Sequence, residues 1–241
     1  MLKPFDVFIL AAGKGERLRP LTLTTPKPLL TLKERPLLDW VIEPLKTLPV
    51  KRLVINAWHL KEQIVSYAET LQKDLPFPVT VSVEEDLLGT GGGLKQALRF
   101  IDTSRVLMMN GDCFWRGDLA KFIQRAEAHQ ETEGSWWLTE RHDDQTEIGV
   151  RDSEIVQIGK LWKSAHSKHS GHDKDSSACF SGIQWFRQIH KQRLPDQGCI
   201  VRDYWIPVLG SGQKLGGIAE GLTTWSDIGT PERLKAFRDF L

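Results

Sequence analysis

The chain is poor in cysteine: Cys113, Cys179 and Cys199 are the only three in 241 residues, and no two form a CxxC pair. An odd number without that spacing argues against a zinc site and a disulfide framework, and leaves three reduced thiols in a cytoplasmic protein as the expectation. Long apolar runs are also missing. No stretch approaches the ~20 apolar residues of a membrane span. The apolar part of MLKPFDVFILAAGKG is too short for a signal-peptide core and reads as a strand. Neither sign of charge dominates: 32 basic and 31 acidic residues, interleaved along the chain, leave a net charge of +1. That offers no electrostatic footprint for nucleic acid or an anionic membrane.

Two familiar phosphate loops are absent as well. The Walker spacing of Gly, four residues and Gly-Lys-Ser/Thr occurs nowhere. The dinucleotide pattern GxGxxG finds Gly13 and Gly15, but Leu18 stands at the third glycine. That pattern also requires a helix directly afterwards, whereas Pro20, Pro26 and Pro28 follow here. Three prolines so close together cannot continue a helix, so an extended loop is expected.

What is present is the stretch from Val7 to Leu30, VFILAAGKGERLRPLTLTTPKPLL. Val7 to Leu10 is a short buried strand by its composition. Gly13 and Gly15 allow a turn with positive φ and close approach of a ligand to the backbone. A loop offering amide N–H groups with Lys14 and Arg17 suits a polyphosphate. A surface Gly/Pro loop with incidental charge is the plain alternative.

Strands and helices then alternate. Further strands are expected at 51–56, 79–83, 106–109, 135–139, 178–185, 214–219 and 222–225, with a hairpin from Ile148 to Ile158. Helices are expected from Pro36, over about 59–72, over 94–100, 118–130 and 198–209, and over 233–241 behind a Thr230-Pro231 cap. The glycines of Leu88-Gly89-Thr90-Gly91-Gly92-Gly93 read as a loop leading into the 94–100 helix, where a flat ring could lie against bare backbone. Asp112, in Asn110-Gly111-Asp112, follows a buried strand at the end where open α/β sheets bind ligands. It suits Mg²⁺, which takes one or two carboxylates plus substrate phosphates; an Asx turn is the alternative. Residues 163–177 carry His166, His169 and His172 but little apolar content, and read as a mobile loop rather than a metal tract.

Leu10-Ala11-Ala12-Gly13-Lys14-Gly15-Glu16-Arg17-Leu18 with Pro26-Lys27-Pro28 resembles the N-terminal motif of the sugar-1-phosphate nucleotidylyltransferases. Those enzymes join a nucleoside triphosphate to a sugar 1-phosphate and release pyrophosphate. The resemblance continues through Leu88-Gly89-Thr90-Gly91-Gly92-Gly93, Asn110-Gly111-Asp112 and Trp225-Ser226-Asp227-Ile228-Gly229-Thr230-Pro231-Glu232 at matching order. It implies a single Rossmann-like α/β domain over 1–241, with a mixed, mostly parallel central sheet flanked by helices. The nucleotide part would lie at about 1–112 and the sugar part at about 113–241.

By the same resemblance, Leu10 to Gly15 hold base and phosphates, Arg17 the triphosphate, and Lys27 the reacting phosphates. Glu84, Gly89, Thr90 and Gly91 form the second nucleotide site, and Asp112 and Asp227 bind Mg²⁺. Asn110, Glu147, Gly149 and Gly182 contact the sugar. Many members carry a Glu-Lys-Pro whose lysine meets the sugar phosphate; here Gly159-Lys160-Leu161-Trp162-Lys163 stands instead, leaving Lys160 and Lys163 as candidates.

Glu84 lies five residues before Gly89, where relatives using uridine or thymidine often have glutamine. A carboxylate only accepts hydrogen bonds, and could take N3–H of uracil or N1–H and the amino group of guanine. The Thr-Gly-Gly-Gly run, the length and the WSDIGTPERL ending resemble N-acetylmuramate-1-phosphate uridylyltransferases more than heptose- or mannose-1-phosphate guanylyltransferases. UTP is therefore the expected partner, with a monomer or homodimer and no β-helix acetyltransferase domain after the final helix. The rival reading is a regulatory protein that binds a sugar nucleotide without turnover. It would be favoured by loss of Arg17, Lys27, Asp112 or Asp227, and all four are present.

Overall fold

The computed structural model describes residues 2–140, 142, 144–164 and 176–240. The expected histidine loop lies almost wholly outside them. Strand β1 (Phe5–Leu10) is the centre of the molecule. A two-residue hairpin of β2 (Thr31–Leu32) and β3 (Arg35–Pro36) precedes helix α1 (Leu37–Ile42), which passes at Pro44 into a 3₁₀ turn. Then come β4 (Val50–Ala57), α2 (Lys61–Leu71), β5 (Val79–Val83), α3 (Gly89–Ala97) and β6 (Val106–Asn110). β1, β4, β5 and β6 pair in parallel, in the order β6-β1-β4-β5.

The second half widens this sheet on the β6 side. Its strands are β7 (Cys113–Gly117), β8 (Thr132–Thr139), β9 (Glu147–Arg151), β10 (Glu154–Ile158), β11 (Trp162–Lys163), β12 (Ser176–Phe186), β13 (Lys214–Ile218) and β14 (Leu222–Asp227). β12 runs antiparallel to β6 and β8, and β13 runs parallel to β8, so the ten-stranded sheet is mixed. Helices α4 (Leu119–Ala128), α5 (Ile206–Gly210) and α6 (Pro231–Phe240) complete the chain.

Alternation along β1 builds cores on both faces of the sheet. Phe5, Val7 and Ile9 meet α1, α2 and α4 on one side. Phe8 meets Leu94, Tyr204 and Trp205 on the other. Five of the nine tryptophans, at 115, 136, 137, 185 and 205, are buried, which accounts for most of that unusual content by core packing. A third cluster of Leu18, Leu30, Leu32, Phe114, Ile228 and Leu234 ties the proline-rich segment to the C-terminal turn and α6.

Four differences from the expected elements matter for the site. The proline-rich segment is three short 3₁₀ turns, at Glu16–Leu18, Leu21–Leu23 and Lys27–Leu29, rather than extended chain. Helix α3 starts five residues early and takes the glycines into its first turns. Strand β7, whose sequence Cys-Phe-Trp-Arg-Gly has no clear alternation, pairs with β14 away from the main sheet and sets Cys113 opposite Asp227. The expected 198–209 helix is a π-helical segment, Ile200–Trp205, running into α5.

Candidate active site

Chain direction changes sides at β1: β4 and β5 extend the sheet one way and β6 the other. A crevice at the carboxyl ends of strands β1 and β6 is where such a sheet can receive a ligand. Leu10 pairs with Asn110 there, and the Gly111 N–H donates to the Leu10 carbonyl at 2.9 Å. A Cβ at Gly111 would lie 2.7 Å from that oxygen, so glycine lets the strand turn close over β1. Asp112 follows at once, and the Ile228 N–H donates to its carbonyl at 3.3 Å, which brings the 227–229 turn against it.

Two carboxylates from remote parts of the chain now face one lysine. Lys27 Nζ donates to Asp112 Oδ2 at 2.6 Å and to Asp227 Oδ1 at 3.4 Å, with its side chain 8% exposed. Arg17 Nη2 and Arg233 Nη1 reach Asp227 Oδ2 at 3.5 and 3.3 Å. Arg233 also binds Asp144 on the segment before β9. Burial by itself would lower the Lys27 pKa, but the charges of Asp112 and Asp227 and the Asp112 hydrogen bond outweigh it, and the net shift is upward. Lys27 is therefore a fixed cation. Cys113 beside it is pushed well up, by burial first and then by the same carboxylates, and stays a thiol.

The glycine turn is held from behind. Gly15 has φ 61°, and its carbonyl accepts the Thr22 hydroxyl at 2.8 Å and the Leu18 N–H at 2.9 Å. His59 Nε2 contacts the Thr22 carbonyl at 2.6 Å, a supporting role consistent with a polar residue at a helix start.

Two cavities meet at this cluster, and Arg17 and Asp112 line both. One, of about 530 Å³, is walled by Leu10, Ala11, Gly13, Lys14, Gly15, Lys27 and Leu87. The other, of about 400 Å³, contains Asn110, Gly182 and Asp227 in its wall, with Trp136, Ile148, Ile158, Leu161, Phe180, Val201 and Trp225. Trp136 and Phe180 stack with ring centres 4.4 Å apart. Gly182 has φ +84°, and a Cβ there would lie 2.6 Å from Asn110 Nδ2.

The structure thus gathers Leu10, Ala11, Gly13, Lys14, Gly15, Arg17, Lys27, Asn110, Asp112, Gly182 and Asp227. Ala12 is buried and forms no part of either wall. Glu147, Gly149 and Lys160 lie outside both as well. Glu147 accepts the Ser177 hydroxyl on the neighbouring strand, and Gly149 packs on Gln157. Lys163 pairs on β11 with Gln157 and belongs to a separate groove. Arg233 and Trp225 stand inside the C-terminal motif and Phe180 beside Gly182, yet none was named as a site residue; with Trp136 they join the site through α6, β14, β12 and β8.

Glu84, Gly89, Thr90 and Gly91 also stand off the cavity walls. Glu84 is 0% exposed. The glycines serve a different contact, with the segment 194–200. Gly91 N–H donates to the Gly198 carbonyl and Gly198 N–H to the Leu88 carbonyl, both at 2.8 Å. Ile200 N–H donates to Thr90 Oγ1 at 2.8 Å, and Lys95 pairs with Asp196 at 2.8 Å. A Cβ at Gly91 would stand 2.7 Å from Pro195, and one at Gly92 would collide with the Asp196 carbonyl. These contacts offset the helix cost of glycine, about 1 kcal/mol each. They also hold Cys199 and Val201, which wall the second cavity. Gly92→Ala is therefore expected to destabilise the fold by about 1–3 kcal/mol through overpacking. It should raise KM for the ligand of the second cavity more than for that of the first, as thermal denaturation and initial rates would measure.

The nucleotidyl transferase family model matches residues 6–241. The chain belongs to the nucleotidyl transferase family. It is 30% identical over 238 residues to the N-acetylmuramate alpha-1-phosphate uridylyltransferase of Neisseria meningitidis serogroup B, covering 94% of each chain. A D-glycero-alpha-D-manno-heptose 1-phosphate guanylyltransferase of Campylobacter jejuni is 32% identical over 116 residues, 48% of this chain and 51% of that one. Among solved structures, HddC from Yersinia pseudotuberculosis complexed with GMP-PN superposes with a TM-score of 0.75 at 23% identity, over 98% of this chain and 100% of that one. This nucleotidyl transferase is a sugar-phosphate nucleotidyltransferase, and its mixed-sheet α/β domain is shared with that structure. Among the described residues, no helix of the transferase is long and apolar enough to cross a membrane.

Proposed function

We propose that the enzyme transfers a uridylyl group from UTP to N-acetylmuramate 1-phosphate. The cavity of Leu10 to Arg17 would take the triphosphate, and the cavity beyond Asp112, with its aromatic side, the sugar. The observation that carries the sugar class is that second wall, where Trp136, Phe180, Trp225, Ile148, Ile158 and Leu161 stand beside Asn110, Gln145, Thr146 and Ser181, an aromatic and aliphatic surface next to side chains that hydrogen-bond. An acylated amino sugar has apolar surface to bury against the first set and hydroxyls for the second to pair. The choice of UTP rests on the end-to-end likeness to the Neisseria uridylyltransferase.

A sugar phosphate is ionised at neutral pH, so its oxygen can attack the α-phosphorus without a base while the bond to pyrophosphate breaks. The task left to the protein is charge and position. Lys14, Arg17 and Lys27 would neutralise the phosphates. Asp112 and Asp227 fit a hard divalent cation such as Mg²⁺: two carboxylates converge on one positively charged atom, and substrate phosphates would supply further oxygens. When bound, that ion would add Lewis-acid stabilisation of the transferring phosphoryl group.

The test is pyrophosphate release with Mg²⁺, crossing four nucleoside triphosphates with sugar 1-phosphates that include N-acetylmuramate, mannose and heptose phosphates. Release with UTP and the muramate phosphate is expected. Preference for GTP with a heptose or mannose phosphate would overturn the reading in favour of the guanylyltransferases, which the Campylobacter relative represents. Silence throughout, with nucleotide bound, would point instead to binding without turnover.

A further inference from the structure

Behind the first cavity lies a buried pair that the proposed chemistry does not use. Asn56, the penultimate residue of β4, is 1% exposed, and Glu84 follows β5 at 0%. Asn56 Oδ1 accepts the Ala11 N–H at 2.7 Å, and Asn56 Nδ2 donates to Glu84 Oε1 at 2.6 Å. Glu84 Oε2 accepts the Leu88 N–H at 3.0 Å. The orientation of the amide is dictated from both ends, since Ala11 offers only a donor and the carboxylate only acceptors. Gly93 makes room for the pair: a Cβ there would lie 2.8 Å from both Asn56 Nδ2 and Glu84 Oε1.

This chain of bonds joins opposite sides of one cavity. Ala11 lines it from the end of β1, and Leu87, next to the Leu88 amide that Glu84 grips, lines it from the turn before α3. We propose that Asn56 and Glu84 form a strut that sets the distance between these two walls, so that both are positioning residues for the nucleotide and Glu84 touches no base. The proposal rests on the first cavity being the nucleotide site. It also specifies why a carboxylate is needed at position 84: it must accept two hydrogen bonds at once from Leu88 and Asn56.

The pairing rule can be inverted. Glu84→Gln offers one acceptor where two donors converge, so either Leu88 N–H or the Asn56 amide faces an NH₂ group; turning Asn56 over moves the mismatch to Ala11. Asn56→Asp sets a second carboxylate against Glu84. With both substitutions, the introduced carboxylate at 56 accepts from Ala11 N–H and from the introduced amide at 84, whose oxygen accepts from Leu88 N–H. Every donor again has an acceptor, and the buried charge is unchanged in number.

Each single variant is expected to raise KM for the nucleoside triphosphate about tenfold, with a smaller effect on KM for the sugar 1-phosphate, and to lower Tm. The double variant should return KM and Tm to within about threefold and a few degrees of the parent, a strong coupling for neighbours. The preferred base should be the same in all four proteins. A changed base preference in Glu84→Gln, unaltered nucleotide KM in both singles, or a double variant that is no better than the singles would each overturn the strut. If the singles do not fold, a folded double variant supports the strut and an unfolded one overturns it. Effects confined to KM for the sugar 1-phosphate would instead overturn the assignment of the first cavity to the nucleotide.

Discussion

Lys27→Met is expected to lower kcat by about 10²–10³, the loss typical of one preorganised charge contact at a reacting phosphate, or about 3–4 kcal/mol of barrier. The ammonium lies between two carboxylates at 2.6 and 3.4 Å and opens onto the cavity of Lys14 and Arg17. In the proposed reaction it would follow negative charge as that moves from the triphosphate to leaving pyrophosphate. Methionine keeps the length of the buried stem, so stability should fall by only about 1–3 kcal/mol. Circular dichroism and Tm would separate that from loss of turnover. Removing the cation leaves Asp112 and Asp227 facing each other without it. Mg²⁺ should then raise Tm more in the variant than in the parent, a readout independent of activity. The pH dependence follows from the raised folded pKa. The Lys27 contribution is fully present below its ordinary pKa of 10.5 and is lost only as pH climbs through the higher folded value. Lys27 should thus add no limb to the rate profile near neutral pH, and parental activity in Lys27→Met would remove it from the site.

Asp227→Asn should cost a similar factor of about 10²–10³ in kcat, but with the opposite signature in KM. Asp227 collects Lys27, Arg17 and Arg233 at 3.3–3.5 Å. Neutralising it leaves three cations beside the first cavity, so on the proposed assignment the triphosphate should bind as well or better while turnover falls. A loss in kcat with an unchanged or lower KM marks a contact that matters in the transition state rather than in binding. Steady-state rates at saturating sugar phosphate would show the split. A raised KM with intact kcat would mean that Asp227 only shapes the pocket.

Much of this was legible in one dimension, where local chemistry and spacing suffice. A β-prone run followed by Gly13 and Gly15 defines a strand and a turn whatever surrounds it, and Thr230-Pro231 caps a helix by its own geometry; both stand as expected in β1 and α6. The order of the motifs, from Lys27 through Asp112 to Asp227, marked the residues that the fold brings onto one ammonium. Their convergence needs β7 and β14 to pair, and β7 has no alternation to announce it. Glu84 and the 89–93 glycines, expected at the second nucleotide site, have structural partners that the sequence did not announce, for a related reason. Spacing shows that a carboxylate or a bare backbone is present, but burial decides what it faces, and here the partners are Asn56 and the 194–200 segment, from remote parts of the chain. The sequence by itself determined the family, the glycine turn after β1 and the charged residues of the centre, because these depend on residue type and local order. Only the tertiary structure decided which of them share a cavity, that the second cavity sets Trp136, Phe180 and Trp225 beside polar side chains, and that Arg233 joins Asp227, because long-range packing selects one partner among many chemically equal ones.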